Sequence, residues 1–187
     1  MQIHRLGAGV FTIDGFLSAE ECAALIAQSE KHGYSEAAIR TEDGERLYKD
    51  ARNNDRIVFD DRALAASMFL RAQSLLPAEL DGWRVSRFNE RWRYYRYDRE
   101  QQFTWHLDGT VRPGTGEESF LTFMIYLNED FEGGATTFPL FNLSVKPEIG
   151  KAILFPSSYI HSAEVITRGE KYVLVSWLTS TPPIKWL

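Results

Sequence analysis

Three residues of this chain have the types and the spacing to hold a metal ion. His106 and Asp108 are separated by one residue, and His161 lies 53 positions after Asp108. If the chain is extended around the first pair, successive side chains alternate between two faces, and both side chains project from the same side. Two imidazoles and one carboxylate on one side of an ion suit divalent iron and leave its opposite coordination positions open.

The His-x-Asp spacing alone is a weak signal, because such tripeptides arise by chance and the chain contains four histidines. A solvated or core-satisfied pair is the alternative interpretation. Lys171, ten residues after His161, favours the metal site. This lysine opens an apolar run that ends near Leu178, so it must either extend its stem to reach solvent or find an anion.

The same residues occur within a longer pattern. The chain reads YDREQQFTWH over 97–106, YLN over 126–128 and FEGGAT over 131–136. With the His-x-Asp pair, the distal histidine and the lysine, these segments resemble the Fe(II)/2-oxoglutarate-dependent dioxygenases of the prolyl 4-hydroxylase-like family. The resemblance covers roughly the C-terminal half of the chain, from about Trp83 to Leu178.

The resemblance implies a role for each candidate residue. It makes His106, Asp108 and His161 the metal ligands and catalytic residues, and Lys171 the partner of the distal carboxylate of 2-oxoglutarate. Tyr126 and Tyr97 match positions that hydrogen-bond this cosubstrate, although a buried tyrosine commonly satisfies a backbone carbonyl instead. The implied cofactors are Fe(II), 2-oxoglutarate, O2 and ascorbate. The residues assigned to the substrate side are Trp177, which also fits a core position, Arg93 and Asn89.

Two positions depart from the family pattern. Glu100 stands where the family usually has a glycine, so the loop is expected to bend differently and the reach of Tyr97 is left open. Ala135 stands where a glutamate is common, at a position expected to face neighbouring strands. Asp108 keeps the carboxylate that related halogenases replace with a small residue. The resemblance therefore implies hydroxylation.

Two helices are predicted in the N-terminal part of the chain. Ser18 and Glu21 form a capping-box pattern, and Gly33 is a typical helix end. A second helix is predicted from Asp61 to Leu76, closed by Pro77. The segment Thr41–Asn54 is almost entirely polar, and a loop of that length is commonly mobile or functional.

From Trp83 onward, short β-rich runs separated by turn signals predict a mainly β fold with flanking helices. Their spacing suits a two-sheet jelly roll, and the resemblance implies the same double-stranded β-helix with the N-terminal helices packed on the larger sheet. We expect a single domain, 1–187, with helical support over 1–82 and a jelly-roll core over 83–178. The predicted strands are Trp83–Phe88, Arg91–Tyr97, Phe120–Leu127, Ala135–Phe138, Lys151–Phe155, Ala163–Thr167 and Lys171–Leu178.

Composition agrees with one compact enzyme domain. The chain is 44% hydrophobic and 13% aromatic, which is enough for a sizeable core. Its net charge of -5 argues against nucleic-acid partners. The single cysteine, Cys22, cannot form an intrachain disulfide and fits a reducing compartment. No stretch approaches the ~18 apolar residues of a membrane span. We therefore predict a soluble, cytoplasmic protein without a membrane partner.

Two substrate classes stay open at this point. One is a peptidyl residue, prolyl or other, with the Thr41–Asn54 segment clamping an extended peptide. The other is a free amino acid or small metabolite. A non-catalytic β-barrel binding module is disfavoured because it has no reason to combine these four residues. A serine hydrolase using Ser157 or Ser158 with His161 is disfavoured because the glycines of a nucleophile elbow are missing. Repair of alkylated nucleic acid is disfavoured because the arginine-rich signature of those oxygenases is absent.

Overall fold

The computed structural model describes residues 1–7, 9–41, 44–76, 78–80, 83–110 and 116–181. These ranges contain eighteen β-strands, two α-helices and one 3-10 helix. The helices are α1 (Ala19–His32), α2 (Arg62–Ala72) and the 3-10 turn Pro139–Phe141. The strands are β1 (Gln2–Gly7), β2 (Val10–Asp14), β3 (Ser35–Glu36), β4 (Ile39–Thr41), β5 (Gly44–Arg46), β6 (Asp55–Asp60), β7 (Glu79–Leu80), β8 (Trp83–Phe88), β9 (Arg91–Tyr97), β10 (Phe103–His106), β11 (Glu118–Tyr126), β12 (Glu132–Gly133), β13 (Thr136–Phe138), β14 (Leu143–Val145), β15 (Ala152–Pro156), β16 (His161–Ala163), β17 (Ile166–Arg168) and β18 (Lys171–Thr181).

Most strands belong to two antiparallel sheets. The larger sheet has ten strands, in the order β1-β2-β15-β11-β18-β9-β6-β3, with β8 paired to β18 and β7 to β8. The smaller sheet has the order β10-β16-β13-β14, and two-stranded ribbons join β12 to β17 and β4 to β5. This mainly β, antiparallel arrangement is consistent with the predicted jelly roll.

The larger sheet is buried on both faces. The side chains of β18 point alternately to these two faces and belong to two different buried clusters. Leu174 and Leu178 belong to one buried cluster, which also contains Cys22 of α1 and Met68 of α2. Val173 and Val175 belong to a second cluster with Tyr97, Phe138 and Phe155. Because neighbouring side chains of a strand point to opposite faces, one apolar run supplies both clusters. The second cluster adjoins the candidate site.

The N-terminal caps match the sequence signals. The Ser18 side chain accepts a hydrogen bond from the backbone N–H of Glu21 at 3.2 Å, and the Glu21 carboxylate accepts from the Ser18 N–H at 2.8 Å. This confirms the predicted capping box, and Gly33 caps the other end of α1 with φ 78°. Neither helix of the described ranges is long and apolar enough to cross a membrane.

The second helix is shorter than predicted. Asp61 caps α2 by accepting from the Leu64 N–H at 2.8 Å. The helix ends at Ala72, and the N–H groups of Leu75 and Leu76 both donate to the Ala72 carbonyl in the turn that follows. The predicted closing residue, Pro77, lies outside the described residues.

The N-terminal segment 1–82 is not only helical support. Strand β2 pairs with β15, and β6 pairs with β9, so this segment extends the larger sheet at both sides. The segment Thr41–Asn54 is not one continuous loop either, because β5 pairs with β4 and Arg52 forms a bridge with Phe103. Residues 42–43 lie outside the described ranges. Except for the local β4–β5 pair, these regions pair with strands distant in the chain, and a local polarity pattern does not carry that information.

The C-terminal strand predictions hold with small shifts. Strands β8 and β9 coincide with the predicted ranges, and β18 continues to Thr181. The single predicted run Ala163–Thr167 divides into β16 and β17, because β16 pairs with β10 and β13 whereas β17 pairs with β12. The division matters for the site, since His161 is the first residue of β16.

Candidate metal and cosubstrate site

The structure brings His106, Asp108 and His161 together, although not entirely as the spacing predicted. Strand β10 ends at His106, so Asp108 follows the strand in irregular backbone and does not share it. The Asp108 N–H donates to the Ser157 carbonyl at 3.1 Å, which fixes this segment beside the turn before β16. His106 and His161 are direct cross-strand partners of β10 and β16. A bulge in that pairing and the backbone bond of Asp108 together place the three side chains around one point.

The hydrogen bonds of both imidazoles fix which nitrogen is free. The Nδ1 atom of His106 lies 2.8 Å from the Thr104 carbonyl, and Nδ1 of His161 lies 2.9 Å from the Tyr159 carbonyl. A carbonyl only accepts, so each Nδ1 carries the hydrogen and each Nε2 presents a lone pair. Burial and the neighbouring His161 lower the pKa of His106 to about 4. His106 is therefore neutral at physiological pH and able to bind a metal ion.

The free lone pairs converge on the Asp108 carboxylate. His106 Nε2 lies 4.0 Å from Asp108 Oδ1, and His161 Nε2 lies 3.8 Å from Asp108 Oδ2. All three ligand atoms are within 4.8 Å of one another. The Nε2 lone pairs and the carboxylate oxygens are all acceptors, and a cation bound between them would offset their mutual repulsion. The residues present therefore fit a divalent metal ion with nitrogen and oxygen ligands.

Residues outside the predicted set hold the ligands in place. Thr122 donates to Asp108 Oδ2 at 2.6 Å and lies 3.1 Å from the Ser157 hydroxyl. Phe103 stacks on the His106 ring with centroids 3.4 Å apart. Sequence reasoning missed these residues. The sequence does carry a signal for Thr122. It is a polar residue in β11 whose neighbours along the strand are apolar and point to the opposite face.

Lys171 lies inside the fold and does not reach solvent. Its residue surface is 1% exposed, and its ammonium donates to the Gly134 carbonyl at 2.5 Å. The ammonium also lies 5.2 Å from the Tyr97 ring centre and 5.4 Å from that of Tyr126. Burial lowers the pKa of Lys171 to about 7. The alternative of a lysine that extends along the surface is therefore wrong, and a buried amine without an ion-paired partner among the described residues favours an anionic ligand.

The paired glycines make this contact possible. Gly134 has φ 67°, and a Cβ atom there would lie 2.5 Å from Ile166 Cδ1 and 3.1 Å from Lys171 Cδ. A larger residue would thus be strained in backbone conformation and would collide with a core side chain. Glycine lets the backbone carbonyl approach the ammonium of Lys171.

One cavity joins the lysine to the metal-ligand set. Tyr97 lines it, whereas Tyr126 donates its hydroxyl to Thr136 at 2.7 Å and lies behind that residue. Glu100 has φ 66°, a left-handed conformation that favours glycine. Residues lining the cavity are Tyr95, Tyr97, Phe103, His106, Asp108, Thr122, Met124, Thr136, Phe155, His161, Ser162, Ala163, Lys171, Val173 and Val175.

The three residues predicted to line the substrate side are not part of this cavity wall. Asn89 accepts from the Arg91 N–H at 2.8 Å and stabilises the turn between β8 and β9. Trp177 is buried, and the Arg93 guanidinium carbon lies 3.9 Å from its ring centre. Arg93 and Trp177 therefore form a stacked pair next to the cavity.

Comparison with known proteins agrees with this geometry. Residues 92–179 match the family model of the 2OG-Fe(II) oxygenase superfamily. Over this range the chain is similar to that superfamily. The matched range contains the His-His-Asp set and Lys171, and the superfamily implies Fe(II), 2-oxoglutarate and O2.

The matched relatives are hydroxylases and prolyl hydroxylases. A PKHD-type hydroxylase of Paracoccus denitrificans is 31% identical over 101 residues, which cover 50% of this chain and 44% of the relative. The chain thus spans less than half the length of the curated relatives it matches. A viral collagen prolyl hydroxylase from Paramecium bursaria Chlorella virus-1 aligns with a TM-score of 0.68 and 24% identity, covering 94% of this chain and 98% of that one.

A prolyl hydroxylase of Trichoplax adhaerens, solved in complex with a hypoxia inducible factor peptide fragment, aligns with a TM-score of 0.70 and 15% identity. The alignment covers 91% of this chain and 83% of that one. These solved structures share the fold of this chain.

Proposed function

We propose that this protein is an Fe(II)- and 2-oxoglutarate-dependent dioxygenase that hydroxylates an unactivated C–H bond and releases succinate and CO2. The observation that carries the proposal is the convergence of two Nε2 lone pairs and the Asp108 carboxylate at one end of a cavity that holds buried Lys171 at the other. Bound iron would supply the O2 chemistry, and the protein supplies orientation and shielding.

Each site residue has a role in this proposal. His106, Asp108 and His161 hold the metal ion, and Thr122 orients the Asp108 carboxylate through its 2.6 Å hydrogen bond. Lys171 binds the distal carboxylate of 2-oxoglutarate by a charge-assisted contact in a poorly hydrated pocket.

The two tyrosines complete the cosubstrate pocket. Burial raises the pKa of Tyr97 and of Tyr126, so both stay neutral hydrogen-bond donors at physiological pH. Tyr97 lines the cavity and would contact 2-oxoglutarate directly, whereas Tyr126 acts through Thr136. We also propose ascorbate as an accessory reductant, and only the family resemblance supports this.

A peptidyl residue is the first candidate substrate, since a structural neighbour was solved with a peptide. A free amino acid or small metabolite is the second. We also propose that the chain forms a single domain and that both helices support the larger sheet. Residues of α1 and α2 share a buried cluster with Phe88 and Phe123 of that sheet. The cytoplasmic location stays a prediction based on the single cysteine.

The test is succinate release by the purified protein, supplied with Fe(II), O2 and 2-oxoglutarate, against a panel of peptides and free amino acids. We expect succinate to form only when iron is present, and to rise when the panel contains the substrate. His161→Ala should abolish this release, while His4→Ala, which changes an exposed histidine paired with Asp14, should not. Metal-loaded protein that binds ligands from the panel but never forms succinate would support a binding module and overturn the proposal.

A further inference from the structure

Arg52, which is buried, and Arg93, which is partly buried, lie near the metal ligands, and each has a buried hydrogen-bonding nitrogen that nothing in the described part of the chain satisfies. Arg93 has a buried Nη1, and Arg52 has a buried Nη2, and neither atom has a hydrogen-bond partner there. Buried N–H groups are nearly always paired, and an unpaired buried charge is costly. Such groups indicate a ligand that the structure does not contain.

Arg93 faces the side of β9 that lines the cavity. Side chains alternate along a strand, so Arg93 shares a face with Tyr95 and Tyr97, which both line the cavity. Its guanidinium stacks 3.9 Å from the Trp177 ring centre, which holds the group in one orientation. Burial lowers the pKa of Arg93, and the Asp108 carboxylate lies near enough to oppose this shift, yet no ion pair joins Arg93 to Asp108 within the described ranges.

Arg52 approaches the same region from the N-terminal segment. Its guanidinium carbon lies 4.5 Å from the Tyr95 ring centre and 4.3 Å from that of Phe103, which in turn stacks on His106. Its Nε donates to the Asn54 side chain at 2.8 Å, and the residue is 5% exposed. Arg52 therefore contacts two aromatic rings that line the cavity, and Arg93 stacks on Trp177 next to it, while Lys171 lies at the other end of the cavity wall formed by β18.

We propose that the primary substrate carries a carboxylate, which binds the free N–H groups of Arg93, with Arg52 supplying a second positive charge. A planar guanidinium suits a carboxylate because it donates parallel hydrogen bonds in a fixed geometry. The proposal rests on the proposed dioxygenase function and narrows its substrate class. The carboxylate is either the α-carboxylate of a free amino acid or an acidic side chain of a peptide.

The experiment compares acids with their amides on the anaerobic Fe(II) and 2-oxoglutarate complex. Binding is measured by calorimetry for the free L-amino acids and their carboxamides, and for peptides containing Asp or Glu and their Asn or Gln counterparts. We expect an acid to bind roughly 10- to 150-fold more tightly than its amide, the range of one charged hydrogen bond. If an amino acid binds more tightly than its carboxamide, the substrate is a free amino acid. If a peptide with Asp or Glu binds more tightly than its Asn or Gln counterpart, the substrate is an acidic peptide.

Variants of the same strand provide the control. Arg93→Gln should remove the preference for the acid, Arg93→Lys should restore part of it, and Arg52→Gln should weaken it. Arg91→Gln removes the same charge two residues away, from an exposed arginine paired with Asp60 at 3.1 Å, and should keep the preference.

Three outcomes contradict the inference. The first is that no acid binds more tightly than its amide in the wild type, which requires no variant to fold. The second is that Arg93→Gln and Arg91→Gln prefer the acid over its amide to the same degree. The third is that Arg93→Gln weakens the binding of 2-oxoglutarate itself and leaves the preference for the acid over its amide unchanged. Succinate release without added substrate is measured in parallel and tests the dioxygenase function separately. If succinate forms but no acid binds more tightly than its amide, this inference is wrong and the proposed dioxygenase function stands.

Discussion

The two ends of the cavity are built differently. At the metal end, His106 and Asp108 have side chains that are 17% and 16% exposed, and they come from a strand end and the irregular segment after it. At the other end, Lys171 opens the central strand β18 and is 1% exposed. A partly exposed site at strand ends is reached by metal and substrate, whereas a lysine buried in the central strand is fixed by the core. The difference indicates that exchange occurs at the metal end and that the lysine end only binds.

Removing a metal ligand should have the largest effect. His161→Ala leaves two protein ligands, too few to retain iron against water, so we expect loss of the one Fe(II) per chain and no detectable turnover. Bound iron and succinate are the measurements, with His4→Ala as the control. Retained activity in His161→Ala would show that the three residues do not form the metal site.

Removing the lysine should affect the cosubstrate and spare the metal. Lys171→Ala deletes a charged hydrogen bond worth ~1.5–3 kcal/mol, so 2-oxoglutarate should bind about 10- to 150-fold more weakly while iron binding is retained. Anaerobic titration of the Fe(II) protein measures both. Lys151→Ala is the control, because that lysine is also mostly buried but pairs with Glu148 and Asp14. Equal cosubstrate affinity in wild type and Lys171→Ala would contradict the assignment.

The buried lysine should also couple cosubstrate binding to protons. Its pKa is lowered to about 7 in the free protein, so above pH 7 the amine is mostly neutral. A carboxylate ligand favours the charged form, so binding at about pH 8.5 should take up close to one proton, and affinity should fall as pH rises above 7.

The proton uptake is measured by calorimetry in buffers of different ionisation enthalpy. The same lowered pKa makes the unfolded chain bind more protons between pH 7 and about 10.4, so the unliganded protein should gain stability as pH rises through this window. Lys171→Ala should show neither effect. Proton uptake that is the same in that variant would assign the effect to another group.

The smallest expected effect concerns the loop between the two ends. Glu100 has φ 66°, a conformation that costs a non-glycine residue ~1–2 kcal/mol, and glycine avoids this cost while losing ~0.5–1 kcal/mol of chain entropy. Glu100→Gly should therefore raise the free energy of unfolding by about 0.5–1 kcal/mol. Thermal or urea unfolding measures the change. Arg99→Gly, at a neighbour that lacks positive φ, should destabilise the protein instead, and equal effects of both would contradict this account.

Local signals predicted much of the fold. The capping box of α1, strands β8 and β9 and the start of β18 follow from periodicity and cap residues, because each depends on interactions within a few positions. Strands β1, β2 and β6 were not predicted. The pairing of β2 with β15 and of β6 with β9 joins segments far apart in the chain, and a single sequence does not show which strands meet.

The sequence by itself determined the metal ligands and the lysine as candidates, because metal binding requires particular residue types and the family pattern orders them along the chain. Only the tertiary structure decided the free nitrogen of each imidazole, the bond from Thr122 to Asp108 and the burial of Lys171. It also decided that Arg52, from a polar segment without a motif, lies against Phe103. These features depend on contacts between residues distant in sequence, and packing, not spacing, sets them.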